Sequence, residues 1–122
     1  MLCGVNAVAN VLVALVAALH LGFLVLEMFL WTTPTGRGVF GTDPEYAEAS
    51  KAMAANQGLY NGFLVAGLVW GLVADLADVK LFFTACVVVA GLYGAATVSR
   101  KILVVQAAPG LLAFLAVLVA TS

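Results

Sequence analysis

Five polar residues lie on one side of the first hydrophobic segment. Asn6, Asn10, His20, Glu27 and Trp31 are spaced 4, 10, 7 and 4 residues apart. At about 100° per residue on a helix, all five fall within an arc of roughly 100°. The rest of the segment is mostly Val, Leu, Ala and Phe. A carboxylate and an imidazole are expensive in hydrocarbon, so such groups face protein or a water-filled cavity and mark a site. Glu27 and His20 are therefore the candidate acid–base or cation-stabilising groups. They cannot pair directly, because seven residues along one helix separate them by about 10 Å.

Depth can be counted inward at ~1.5 Å per residue from the segment ends. Glu27, Asn61, Tyr93 and Gln106 all come to about 6–10 Å, one from each of four hydrophobic segments. Gln57 lies one turn nearer the surface than Asn61, and Asn56 and Tyr60 form a second i,i+4 pair. Gln57, Tyr60, Asn61, Tyr93, Gln106, Asn56 and Trp31 are thus the candidate substrate-binding residues of one polar pocket. The plainer alternative is that these groups only hold helices together, at an average of ~0.6 kcal/mol per hydrogen bond in a membrane protein. An ionisable carboxyl is a costly way to obtain what Gln would supply, since Asp at a helix centre costs ~2.5–3.5 kcal/mol.

The elements that must position these residues follow from composition. The chain has 122 residues, 65% hydrophobic and 9% charged, with mean hydropathy +1.16. A soluble domain carries about 25% charged residues. The apolar excess falls in long runs, which indicates one integral membrane domain. Four segments approach the ~20 residues a span requires: residues 5–31, 58–74, 79–98 and 102–121. Short links make the last three antiparallel neighbours, so the expected fold is an all-α, up-and-down four-helix bundle. Residues 32–57 form a polar loop and an interfacial helix. Thr42 or Asp43 caps that helix, with Pro44 and Glu45 in its first turn. Tyr46, Met53 and Tyr60 recur every seven residues and give it an amphipathic face that continues into span two. Span one is long and apolar without a basic leader, so it reads as a retained helix and not a cleaved signal.

Arg37, Lys51, Arg100 and Lys101 lie in loops on one side, and Lys80 beside Asp75 and Asp78 lies on the other. The basic excess places those two loops in the cytoplasm and both termini outside. A net charge of −1 leaves no basis for nucleic-acid binding. Cys3 and Cys86 read as inert thiols. With one His and no Cys pair at ligand spacing, there is no metal set, and no cofactor motif is present. Gly36, Gly38 and Gly41 match GxGxxG, but without a preceding strand they read as a flexible turn. Gly58-x-x-x-Gly62, Gly67-x-x-x-Gly71, Gly91, Gly94, Gly110, Ala113 and Ala116 let backbones approach, within the bundle or between copies of a homo-oligomer. Pro109-Gly110 should kink or break span four near Gln106.

Three stretches carry a family resemblance: Leu26-Glu27-Met28-Phe29-Leu30-Trp31-Thr32-Thr33-Pro34, then Gly36-Arg37 with Val39-Phe40-Gly41, then Ala54-Ala55-Asn56-Gln57-Gly58-Leu59-Tyr60-Asn61-Gly62. The chain resembles a bacterial family of small four-helix membrane proteins catalogued as a domain of unknown function, number thirteen hundred and four. The likeness is strongest from His20 to Gly62, where His20, Glu27, Asn56, Gln57, Tyr60 and Asn61 match the family pattern. It implies the membrane fold and a bacterial plasma membrane, and it brings no activity.

Three functions fit. The chain binds or modifies a lipophilic small molecule around Glu27, works as a dimeric proton-coupled exporter, or serves as an accessory subunit whose stripe faces a partner. The first is the expectation taken forward.

Overall fold

The computed structural model describes residues 2–122, with side chains from Gly4 onward. The expectation for Cys3 therefore lies outside the described residues. Helix α1 runs Leu2–Met28, α2 Pro34–Phe40, α3 Pro44–Ala74, α4 Ala77–Thr97 and α5 Ala108–Ala120, with a π-helical segment at Leu103–Ala107 leading into α5. Four of these stretches are long and apolar enough to cross a membrane: Gly4–Met28, Pro44–Ala74, Ala77–Thr97 and Leu103–Ala120. Contacts join α1 to α3, α3 to α4, α4 to α5 and α5 back to α1. That closed circuit of antiparallel neighbours is an up-and-down four-helix bundle. Its centre is built from Val13, Val16, Leu68, Val87, Ala113 and Val117.

Local chemistry sets the boundaries. Asp43 accepts a 2.7 Å hydrogen bond from the Tyr46 amide, and Pro44 occupies the first turn, where its missing N–H is no loss. From there α3 continues without a break for 31 residues. Asp75 ends it in the left-handed conformation, φ 52°.

Two expectations need correction. Span one stops at Met28, so Trp31 sits in the following turn and not on the helix. The loop with three glycines is not a flexible turn. Thr33 caps α2 by accepting from the Gly36 amide, Pro34 starts it, and Gly41 closes it at φ 67°. Gly36 is required for packing, because a Cβ there would fall 1.9 Å from the Leu30 carbonyl oxygen.

The small residues pack inside the single chain. Gly58 and Gly62 face Met28 and Leu24 on α1, Gly67 and Gly71 face Phe83 and Lys80 on α4, and Gly91 lies on the backbone of Ala107. Each glycine pair of α3 therefore fits a different neighbour. Span four is remodelled where Pro109 stands, as a π segment whose last residue is Ala107. A proline removes an amide donor, and a wider turn before it absorbs the mismatch.

Candidate functional site

Glu27 lies in the last turn of α1 and is half-buried. Gly58 brings the α3 backbone against it: a Cβ there would sit 2.5 Å from Met28 Cγ and 3.2 Å from Glu27 Cβ. One turn further along α3, the Asn61 side chain reaches the carboxyl. Its Nδ2 donates to Glu27 Oε1 at 2.5 Å. Asn61 is buried. Among the described residues this is the carboxyl's only hydrogen bond, so its second oxygen is free to accept. The pair sits at the mouth of the bundle, on the side of the basic loops.

His20 is two turns deeper and fully buried. Its Nδ1 lies 2.8 Å from the Val16 carbonyl oxygen, so that nitrogen carries the proton and donates. Its Nε2 has no partner among the described residues, and the ring meets Phe23 edge-on at 5.1 Å. Helix α1 thus places His20 in the core, apart from Glu27.

The remaining residues do not gather around Glu27. Asn56, Gln57, Tyr60 and Tyr93 are all exposed, Tyr93 at 73%. The expectation of one pocket with a polar group from every span is corrected here. Depth was the wrong criterion alone, because azimuth decides. Asn56 and Tyr60 are each two residues from Gly58, and Tyr93 is two from Gly91. Two residues turn a side chain roughly 160° away from the packed glycine. Gln57 is about 100° off that line and lies beyond the end of α1. Tyr93, exposed near the end of its span, is an ordinary interfacial anchor. Gln106, in the π segment, donates from Nε2 to the Val87 carbonyl oxygen at 3.1 Å. It ties span four to α4. Trp31 is half-buried: its Nε1 donates to Ser50 Oγ at 3.1 Å, and its ring lies 4.9 Å from that of Phe40. It pins the α1–α2 turn and α2 onto α3. Asn6 is exposed, and Cys86 is half-buried with a free thiol.

A second polar cluster was missed. Lys80 on α4 is only 5% exposed. Its Nζ donates to Asn10 Oδ1 at 2.8 Å and to Asp75 Oδ1 at 2.9 Å. Gly71 makes room for its stem, since a Cβ there would meet Lys80 Cγ at 2.8 Å. Below it, Thr84 is fully buried and donates to the Lys80 carbonyl oxygen at 2.7 Å. The available signals were Asn10 on the α1 stripe and a glycine positioned opposite a lysine. Among the described residues, no three of His, Cys, Asp and Glu gather as a metal set.

The profile of a family described as "Protein of unknown function (DUF1304)" matches residues 14–118. The uncharacterized protein YpaA of Lactococcus lactis subsp. lactis (strain IL1403) is 31% identical over 114 residues, which is 88% of this chain and 95% of that relative. No solved structure matches.

Proposed function

The chain belongs to the DUF1304 family, whose description assigns no activity, and from the residues we propose that it binds a lipophilic small molecule by its polar head at Glu27 and Asn61. The observation that carries this reading is the free oxygen of Glu27. A carboxyl at the end of an apolar helix, given one amide hydrogen bond, still lacks a cation or a second donor. A hydroxyl or amine on a lipophile supplies that donor, while its apolar part lies among the Leu, Met and Phe side chains of α1 and α3. An amine adds charge to the hydrogen bond, which roughly doubles its strength.

In this reading the site occupies the cytoplasmic half of a bacterial plasma membrane, with both termini outside. The charge bias supports that orientation. Arg37, Lys51, Arg100 and Lys101 stand at the Glu27 end, whereas Lys80, the cation of the opposite end, is taken up by Asp75 and Asn10. Basic loops stay in the cytoplasm.

The test is mass spectrometry of lipophiles extracted from gently purified protein. Wild type should carry one enriched class bearing a donor head. Glu27→Gln should lower its occupancy about tenfold, equivalent to ~1.4 kcal/mol, with the fold retained. Extracts identical to bulk membrane lipid in both proteins would refute the proposal.

A further inference from the structure

The outward face of α3 carries a pattern that the bundle does not use. Tyr46, Ala49, Met53, Asn56, Tyr60 and Phe63 alternate at intervals of three and four residues, the a and d positions of a heptad seam. All six are exposed, Met53 at 78%. They lie on the side of α3 opposite Gly58 and Gly62, which pack on α1. A seam of this period can wind against another helix, and no helix among the described residues covers it.

Lipid does not account for the whole of it. At ~1.5 Å per residue, 31 residues make a helix of about 46 Å, against a hydrocarbon core of ~30 Å. Helix α1 ends at Met28, opposite Gly58, so residues 44–57 extend past the end of α1. Tyr46 and Met53 therefore stand where acyl chains give little cover. Asn56, the amide of the seam at a d position, bears a side chain that both donates and accepts, so two such amides related by a two-fold axis can hydrogen-bond to each other.

We propose that a second copy of this chain docks along this seam, forming a parallel α3–α3 dimer with the two Asn56 side chains hydrogen-bonded across the axis. Copies inserted by the same charge rule share one orientation, so the pairing is parallel, and a two-fold axis makes one patch complementary to itself. At about 200 Å² per large side chain, the exposed parts of Tyr46, Met53, Tyr60 and Phe63 sum to at most roughly 500 Å² per copy, so complete burial in a pair just reaches the ~1,000 Å² expected of a specific interface. A shallow groove lined by Met28, Ala52, Met53, Ala55, Asn56 and Leu59 runs beside the seam.

The test is disulfide cross-linking in native membrane vesicles. Cys3 and Cys86 are replaced by Ala, and single cysteines are placed at Ala49, Met53 and Asn56 on the seam and at Glu48 and Lys51 off it. Seam positions should cross-link at least fivefold more than the off-seam pair. Equal yields at all five positions, or none above background, would overturn the proposal, and the latter would assign the stripe to lipid headgroups. Counting photobleaching steps in dilute vesicles gives a second readout. Asn56→Asp sets two like charges at the axis and should lower the dimer fraction tenfold or more, whereas an unchanged dimer fraction would contradict the pairing. Association is the quantity measured, so this result is independent of ligand binding at Glu27.

Discussion

The two ends of the bundle treat a charged side chain in opposite ways. At the terminal end, Lys80 is enclosed by α1, α4 and the turn after α3, and its ammonium meets both Asn10 and Asp75. At the basic-loop end, Glu27 is half-buried and among the described residues meets Asn61 alone. A buried charge is tolerated when it is paired and hydrogen-bonded. The Lys80 cluster meets that condition within the chain, so it reads as a clasp that joins three elements. The Glu27 pair meets it only in part, and the unmet remainder is what a ligand would supply.

The largest expected effect is at the clasp. Asn10→Leu leaves a buried ammonium with one partner, the 85% exposed Asp75 side chain, and should destabilise the bundle by about 2–3 kcal/mol. A lower midpoint in a thermal size-exclusion assay would register it, and no shift would make the clasp idle. Gly58→Val comes next. The new side chain must displace Met28 and press on the Leu24 carbonyl, which should cost about 1–3 kcal/mol and separate Glu27 from Asn61. The same assay, read alongside lipophile occupancy, checks both consequences. Asn61→Leu removes one hydrogen bond and should lower stability by only about 1 kcal/mol while reducing occupancy. A drop as large as that of Asn10→Leu would place both ends in one structural class. The smallest effect is at Tyr93→Phe, where an exposed hydroxyl is lost. Stability should move by less than about 0.5 kcal/mol and occupancy not at all, and a loss of bound lipophile would return Tyr93 to the site.

Much of the fold was legible because the bilayer limits the choices. Unbroken apolar runs, the Asp43-Pro44 start of α3 and the short link at Asp75 were enough to read four antiparallel helices. The glycine pairs announced close packing but not its direction, since Gly58 fits α1 and Gly67 fits α4 through contacts that depend on how the helices are arranged. The site was legible only at its centre. Glu27 and Asn61 could be matched by depth on adjacent antiparallel helices. Tyr60 and Tyr93 lie near that depth and Asn56 lies more than a turn nearer the surface, but all three stand about 160° from the packing line, and a sequence shows that line only once the packed glycines are assigned. Lys80 was hidden for the opposite reason. A cation beside Asp75 and Asp78 reads as solvated until Gly71 is seen to open a slot for it.

The free oxygen of Glu27 carries the proposed function, and native mass spectrometry of the intact protein in lipid nanodiscs reads whether a ligand occupies it. Wild type and Asn10→Leu should both retain a bound lipophile, Asn10→Leu with reduced stability. Glu27→Gln should be as stable as wild type to within about 1 kcal/mol and carry about tenfold less of it. A Glu27→Gln protein that keeps the same adduct, or a wild type without one, would contradict the account.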